Sequence, residues 1–287
     1  MNEFYPDPLP EGARRRALRT RAGALAALDA QPTDRQSIPV TAVLVTGFSG
    51  SKEDFIPVIP RIVAAGYRVV SYDQRGQYES SGPHHARDYS VASFAQDLRC
   101  VIDLVGDGKP VHLVGHSFGA LVARYLVIAE PALVRSVTLL DSGPSGDRLL
   151  RARWLGLLAL LIRLTGTRGL TIAYGVFRSG LPVSRLQWRR QRFRHTSRAG
   201  LVGMCLAMMR EPDRVEELAA VSVPTLVVYG EDDDVWPAAV QNEMARRLDA
   251  DAVIIKDAGH MPSEEQPQAT AETLVEFWSK VDSKSLN

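Results

Sequence analysis

The chain of 287 residues has few cysteines and no marked excess of either charge. Its two cysteines, Cys100 and Cys205, lie among apolar neighbours, so the sequence predicts reduced, packed thiols rather than a disulfide framework or a cysteine-ligated metal site. The 34 Lys and Arg residues are matched by 33 Asp and Glu residues. This balance argues against a protein that works by binding nucleic acid.

Long hydrophobic runs are also missing. The N-terminal segment contains Glu3, Asp7 and three consecutive arginines but no continuous apolar stretch, so we expect no secretory signal and a cytoplasmic location. The most apolar window, residues 154–164, is about half the length that a membrane span needs, and arginines bracket it. The sequence therefore predicts no integral membrane insertion.

Six short runs rich in Val, Leu and Ile are typical of strands buried on both faces of a parallel sheet, and we expect all six to be central. Stretches with helical spacing separate them, and this alternation predicts an α/β fold with a doubly wound, mostly parallel sheet. The predicted strands are residues 40–46, 67–72, 111–114, 136–140, 225–229 and 252–255, and the predicted helices are residues 56–65, 90–105, 118–130, 238–248 and 268–281.

One segment interrupts the alternation. Residues 144–222 have no convincing strand but contain Leu- and Arg-rich helical patches, which predicts a helical cap inserted into a core domain formed by residues 1–143 and 223–287. Near the N-terminus, residues 13–30 fit either a helix or a hairpin that turns at Gly23, and we favour the hairpin. The three helical patches are residues 149–164, 186–195 and 201–209.

A candidate nucleophile follows the strand at residues 111–114, where the chain reads GHSFG around Ser117. A serine on a tight strand-to-helix turn is held in a strained backbone conformation, and small residues two positions to either side let the turn close. Ser117 Oγ would then project from the carboxyl edge of the sheet, where chemistry collects in such folds. The alternative is an ordinary turn with a helix-capping serine.

A serine hydroxyl is a poor nucleophile unless a base, itself oriented by an acid, lies nearby. Three aspartates, at positions 232 to 234, follow the strand at residues 225–229, and His260 follows the strand at residues 252–255. The order Ser, Asp, His, with each member just past a strand, is the order expected for a nucleophile elbow in this topology. The sequence thus predicts a catalytic triad.

Together these motifs resemble the α/β-hydrolase fold superfamily, in its esterase, lactonase and C–C hydrolase branch with a helical cap. The family's acid motif, G-x-x-D-x-x-x-P, aligns with Gly230, Asp233 and Pro237, which implies that Asp233 is the acid of the triad. Asp232 is one alternative, and Asp141, at the end of the strand before the cap, is the position that some relatives use instead.

The resemblance also implies an oxyanion hole formed by the backbone N–H groups of Phe48 and Phe118. Phe48 lies in the segment TGFSG, where Thr46 replaces the family's usual histidine, and this departure puts the support of the loop in question. The segment DQRGQYES, residues 73–80, matches the family's D-x-R-G-x-G-x-S stretch with Tyr78 in place of glycine. In relatives this stretch is structural, an Asp and Arg network, and Tyr78 is a candidate for lining the pocket.

In the predicted cap, aromatic residues and a methionine cluster are typical of a lid that excludes water, although most of them would form the cap's own core. The arginines at positions 189, 190, 192 and 194 are predicted to form a solvated face. The aromatic residues and methionines are Trp154, Tyr174, Phe177, Trp188, Phe193, Met204, Met208 and Met209.

The sequence predicts a cofactor-free, metal-free serine hydrolase that cleaves a carboxylic ester, thioester or lactone of a small, largely apolar substrate. Ser117 would attack the carbonyl, His260 would carry the proton, and Asp233 would hold the imidazolium. C–C bond hydrolysis or a cofactor-free peroxidase reaction could use the same triad. An alternative from another class is a low-turnover ligand receptor of the same fold.

Overall fold

A mixed sheet of eight strands lies at the centre of the computed structural model, which describes residues 9–20, 23–32, 38–145, 149–168 and 183–284. The strand order is β1-β2-β4-β3-β5-β6-β7-β8; β3 to β8 are parallel, and the β1–β2 hairpin joins antiparallel to β4. The strands are β1 Ala13–Thr20, β2 Gly23–Ala30, β3 Thr41–Val45, β4 Arg68–Tyr72, β5 Val111–His116, β6 Val134–Leu140, β7 Thr225–Gly230 and β8 Asp251–Ile255.

The structure confirms the six predicted parallel strands and the N-terminal hairpin, with two corrections. First, β8 is an edge strand rather than a central one, because among the described residues only β7 pairs with it; Ile254 on this strand is 48% exposed. Second, Gly23 is not in the turn but begins β2, where it pairs with Thr20 at a φ of 123° that favours glycine. Residues 21 and 22 lie outside the described residues.

Apolar clusters pack on both faces of the sheet. Strand β3 shows why its sequence is an unbroken apolar run: Val43 and Val45 pack into one cluster, and Ala42 and Leu44 pack into the other. The helices of the described residues are α1 Ile59–Ala64, α2 Val91–Val105, α3 Phe118–Ala129, α4 Leu149–Thr165, α5 Val183–His195, α6 Arg198–Arg210, α7 Val215–Ala219, α8 Ala238–Arg247, α9 Pro262–Glu265 and α10 Pro267–Lys284. None of them is long and apolar enough to cross a membrane.

Helices α4 to α7 occupy the segment between β6 and β7; α4, α5 and α6 correspond to the three predicted helical patches, and the short α7 was not predicted. Helix α5 is joined to the rest of the molecule by two buried ion pairs: Arg189 Nη2 lies 3.0 Å from Glu264 Oε2, and Arg192 Nη1 lies 2.5 Å from Asp54 Oδ1. The predicted solvated arginine face is therefore wrong for these two residues. Their spacing of three places both side chains on the helix face that packs inward, whereas Arg190 and Arg194 are exposed.

The residues predicted to line the cap are also partly buried and partly exposed. Trp188, Phe193 and Met204 are buried, but Trp154 is 62% exposed and cannot line an enclosed pocket. Tyr174 and Phe177 lie outside the described residues. Cys205 is buried and Cys100 is half-buried, and both are free thiols as expected.

Candidate active site

Ser117 occupies a sharp turn between β5 and α3. Its backbone is strained, with φ 52° and ψ −116°, and its amide N–H donates to the carbonyl of Leu140 at the end of β6. The flanking glycines are needed for close packing: a Cβ on Gly115 would lie 2.5 Å from Ala120 Cα, and one on Gly119 would collide with the Val45 carbonyl oxygen. The strand–turn–helix context predicted from the sequence is therefore present, with the Ser117 side chain half-buried at the carboxyl edge of the sheet.

The structure brings the three predicted triad residues into one hydrogen-bonded row. His260 follows β8, and its Nε2 lies 3.1 Å from Ser117 Oγ while its Nδ1 lies 3.0 Å from Asp233 Oδ1. Because a carboxylate can only accept, the proton on this side of the ring belongs to Nδ1, which leaves Nε2 free to accept from the serine hydroxyl. This is the arrangement of a general base oriented by an acid.

Asp233 is fixed more firmly than its hydrogen bond to His260 alone would require. Its Oδ1 also accepts from the amides of Val235 at 2.8 Å and Trp236 at 3.0 Å, and its Oδ2 accepts from Gln241 Nε2 at 2.9 Å. Burial alone would raise the pKa of Asp233, but the hydrogen bonds with His260 and the two amides outweigh it and hold the pKa below its ordinary value. The carboxyl is thus ionised at neutral pH. Its neighbour Asp232 is exposed.

Asp141, the other candidate acid, lies beside the predicted triad but does not hydrogen-bond His260. Its Oδ1 accepts from the amide of Gly230 at 2.9 Å, and an oxygen of Asp141, an oxygen of Asp233 and a ring nitrogen of His260 lie within 4.8 Å of one another. Burial, followed by the negative charge of Asp233, raises the pKa of Asp141 well above its ordinary value. Two carboxylates and an imidazole could in principle ligate a metal, but both Asp233 oxygens already accept N–H bonds.

His116, the variable residue of the GHSFG motif, holds the histidine loop in place. Its Nε2 lies 2.8 Å from the carbonyl oxygen of His260, so Nε2 carries the proton and donates it to that bond. Burial, and then the nearby His260, lower the pKa of His116 to about 4, and the ring is neutral at physiological pH. Sequence reasoning missed this contact because the two residues are 144 positions apart.

The loop that carries Phe48 lies against Ser117. A Cβ on Gly47 would lie 3.1 Å from Ser117 Cβ, which shows how closely the two backbones approach. In the part of the chain described, the amide N–H groups of Phe48 and Phe118 donate no hydrogen bond. Both are therefore available to an anion formed beside Ser117.

The buried side chain of Gln77 supports the loop at Thr46, the residue that replaces the family's usual histidine. Thr46 Oγ donates to Gln77 Oε1 at 2.7 Å, and Gln77 Nε2 donates to the carbonyl oxygen of Gly47 at 2.7 Å. The backbone N–H of Gln74 donates to the same Oε1 at 3.0 Å. Gln77 thus joins two successive residues of the Phe48 loop to the segment that follows β4, a support that the sequence alone did not indicate.

The predicted Asp and Arg network after β4 is also present. Arg75 forms two hydrogen bonds with Asp97, at 2.5 Å and 2.8 Å, and Asp73 accepts from the buried ammonium of Lys52 at 3.0 Å. Tyr78 has a φ of 36°, in the left-handed region that favours glycine, and its ring packs edge-on against Trp188 of α5.

A second group of the same three residue types lies at the opposite, amino edge of the sheet. His112 Nδ1 is 2.8 Å from Ser136 Oγ, and His112 Nε2 is 3.3 Å from Asp282 Oδ1. His112 and Ser136 are fully buried. The full burial of His112 agrees with the prediction that it is a packed residue rather than a base.

Comparison with known proteins points to one family. Residues 42–273 match the family model described as "Alpha/beta hydrolase family". A non-heme haloperoxidase from Rhodococcus erythropolis is 30% identical over 220 residues, 70% of this chain and 78% of the relative, and 3-oxoadipate enol-lactonase 1 from Acinetobacter baylyi is 26% identical over 73% of this chain and 78% of the relative. The solved structure of a thermophilic esterase from Thermogutta terrifontis matches with a TM-score of 0.78 at 23% identity, covering 94% of this chain and 99% of that chain.

Proposed function

The chain belongs to the alpha/beta hydrolase family, and from this premise we propose that it is a serine hydrolase that cleaves a carboxylic ester, thioester or lactone of a small, largely apolar substrate. The observation that carries the proposal is the continuous hydrogen-bonded row from Ser117 through His260 to Asp233. The esterase and the enol-lactonase among the similar proteins are in keeping with this substrate class.

In the proposed mechanism, Ser117 Oγ attacks the substrate carbonyl as its proton moves to His260 Nε2. The ionised Asp233 stabilises the imidazolium that forms, and its own four hydrogen bonds keep the ring at the correct angle. His260 then protonates the leaving alcohol, thiol or lactone oxygen, which leaves an acyl group on Ser117. A water molecule deprotonated by His260 hydrolyses this acyl-enzyme.

The backbone amides of Phe48 and Phe118 are proposed to form the oxyanion hole. Each such donor is worth about 3 kcal/mol of barrier when it is prearranged. We further propose that residues 144–222 form a cap over a core made of residues 1–143 and 223–287. The two buried ion pairs of α5 support this division, because they attach a helix of the insertion to Asp54 and to Glu264 on opposite sides of the triad in the sequence.

Fluorophosphonate labelling tests the nucleophile. We expect the probe to modify Ser117, as located by mass spectrometry of the digested protein, and we expect labelling to fall sharply in His260→Ala. Ser136→Ala is the matched control, since Ser136 also contacts a histidine but is fully buried, and it should label like the wild type. Labelling at any other serine, or labelling that is unchanged in His260→Ala, would contradict the proposal.

Turnover of p-nitrophenyl esters of increasing acyl length separates an enzyme from a low-turnover receptor of the same fold. We expect multiple turnovers on short acyl chains and none in Ser117→Ala. A protein that labels with the probe but does not turn over any ester in the series would favour the receptor.

The similarity to a non-heme haloperoxidase favours one second candidate, a cofactor-free peroxidase reaction on the same triad. Here hydrogen peroxide would replace water in the attack on the acyl-enzyme and release a peracid and free Ser117. Incubation with acetate, hydrogen peroxide and bromide, followed by a halogenation assay, measures it. Halogenation that exceeds ester hydrolysis would make the peroxidase the main activity.

A further inference from the structure

The near-neutral charge of the whole chain hides a strong segregation of charge. Residues 148–210 contain thirteen arginines and not one Asp, Glu or Lys. The rest of the chain therefore carries a net negative charge. Such asymmetry within one chain indicates that the basic part faces an anionic surface.

Helix α4, inside this basic segment, presents an apolar face to solvent. The side chains of Leu157, Leu160 and Leu164 are 60%, 51% and 76% exposed, and Trp154 beside them is 62% exposed. Their spacing of three to four residues places them on one side of the helix, opposite the buried Ile162. A soluble monomer rarely leaves a continuous stripe of this kind uncovered.

Exposed arginines flank this stripe. Arg153 and Arg163 are exposed, one at the start of α4 and one near its end, and neither forms an ion pair with any residue that the structure describes. We name Arg153, Trp154, Leu157, Leu160, Arg163 and Leu164 the α4 face. Beyond it, Arg168, Arg190, Arg194, Arg198 and Arg210 are likewise exposed and form no ion pair within the described ranges.

The occupant of the α4 face has to satisfy leucines and arginines together. A second copy of the chain would cover the leucines but bring two strongly basic segments together. A nucleic acid would neutralise the arginines but leave the leucines and Trp154 in water. An anionic lipid bilayer meets both requirements, because the acyl region accepts the apolar side chains while the headgroups pair with the arginines.

We propose that the α4 face docks the protein on the surface of an anionic lipid bilayer, with α4 lying in the plane of the interface. The helix is about 25 Å long, and nothing in this arrangement requires a segment to span the membrane. The apolar side chains enter the boundary between headgroups and acyl chains, where tryptophan is favoured.

Tryptophan fluorescence gives a direct readout, because Trp188, Trp236 and Trp278 are buried and Trp154 alone of the four is exposed. We expect vesicles of mixed phosphatidylcholine and phosphatidylglycerol to shift the emission to shorter wavelength and to sediment the protein. Vesicles of phosphatidylcholine alone should do neither, and added salt should weaken the binding. Trp154→Phe should abolish the shift while the protein still sediments.

Substitutions on the α4 face separate the two contributions. Leu157→Ser and Leu164→Ser should each weaken vesicle binding about tenfold, and Arg163→Gln should weaken it about fivefold. The matched control is Leu104→Ser, on α2, where the leucine is 41% exposed but lies outside the basic segment, and its binding should be unchanged.

Three outcomes would overturn the proposal. Equal binding to neutral and anionic vesicles would remove the role of the arginines. Binding to double-stranded DNA that is tighter than binding to the mixed vesicles would assign the surface to a polyanion. A blue shift that appears without vesicles as the protein is concentrated, together with a dimer in light scattering, would assign the leucines to a second copy of the chain.

Discussion

The same three residue types meet twice on one sheet, at opposite edges and to different effect. At the carboxyl edge, Ser117, His260 and Asp233 form what we call the carboxyl-edge cluster; at the amino edge, Ser136, His112 and Asp282 form the amino-edge cluster. The serine–histidine distances in the two clusters are similar, 3.1 Å and 2.8 Å. Proximity of Ser, His and Asp is therefore not what distinguishes a site capable of chemistry.

The difference lies in the backbone and in access. Ser117 stands on a strained turn with its side chain partly open, whereas Ser136 is inside the regular strand β6 with no exposed surface. The aspartates differ as well: Asp233 is held by backbone amides and Gln241, while Asp282 accepts from Tyr67 and Arg135. The amino-edge cluster thus fastens the C-terminal helix α10 to the sheet.

Replacing the two histidines should separate the clusters most clearly. His260→Ala removes the proposed base, so we expect the rate of ester hydrolysis to fall about 10⁵-fold with little change in the free energy of unfolding. His112→Ala leaves a cavity and an unpaired Ser136 hydroxyl, so we expect a loss of about 3 kcal/mol of stability and a kcat within a few-fold of wild type. Steady-state kinetics and urea unfolding of both variants measure this.

Similar activity losses in the two histidine variants would break the distinction between the clusters. Should His112→Ala not fold, His112→Gln keeps much of the volume and the kinetic comparison can be made with it. A stable but inactive His112→Gln would mean that the amino edge takes part in the reaction.

The aspartates test which carboxylate orients His260. Asp233→Asn should lower kcat by about 10³ to 10⁴-fold, because an amide at this position favours the wrong tautomer of the imidazole. Asp232→Asn is the matched control, one residue away and exposed, and should leave kcat unchanged. Asp141→Asn should have only a small effect on kcat, because Asp141 accepts from the amide of Gly230, whereas Nδ1 of His260 contacts Asp233. A loss as large as that of Asp233→Asn would transfer the role of the acid to Asp141.

The carboxyl-edge cluster also has a support that the amino edge lacks, the contact of Gln77 with the Phe48 loop. Gln77→Leu should lower kcat about 30-fold with a smaller change in KM. The reason is that a displaced Phe48 amide would weaken the hydrogen bond to the oxyanion, which forms in the transition state and not in the bound substrate. Thr46→Val removes the hydrogen bond between Thr46 and Gln77, which Gln77→Leu also removes. The loss of kcat in the double variant should therefore be smaller than the two single losses combined.

The exposed Gln268 on α10 offers the control substitution, Gln268→Leu, which should leave both constants unchanged. Additive losses in Gln77→Leu and Thr46→Val would show that the two side chains act independently. A rise in KM alone would place Gln77 in substrate binding instead.

The sequence was sufficient to predict what depends on local pattern. The doubly wound sheet follows from short apolar runs alternating with helical periods, and the structure confirms it. Ser117, Asp233 and His260 each follow a strand, and parallel strands bring such positions to one edge, which is why residues so far apart in the chain were grouped correctly in space. Their roles in catalysis stay predictions until they are measured.

What the sequence did not provide depends on contacts between distant segments. No local motif links Gln77 to Gly47 or His116 to His260, because each pair meets only when two loops fold against each other. Burial of Arg192 was missed for a related reason, since the spacing of arginines shows that they share a helix face but not which face packs inward. The edge position of β8 likewise depends on which strand has no further neighbour.

The smallest effect should come from the pH dependence of stability at the amino edge. Burial would raise the pKa of Asp282, but the neighbouring His112 and the hydrogen bonds from Arg135 and Tyr67 outweigh it and lower the pKa to about 2. A carboxyl whose pKa is lowered by folding stabilises the protein at a pH above its ordinary pKa, and this contribution is lost as the pH falls from about 4 to about 2.

Asp282→Asn should therefore cost about 1 to 2 kcal/mol of unfolding free energy at pH 7, without loss of activity. The difference from wild type should shrink in urea titrations as the pH approaches 2, because protonation then removes the same charge from the wild type. Asp251→Asn, at an exposed position on β8, should shift stability by no more than about 0.5 kcal/mol. A difference that stays constant over this pH range would mean that Asp282 stabilises the protein through packing. The charge of its carboxylate would then not be what holds α10 against the sheet.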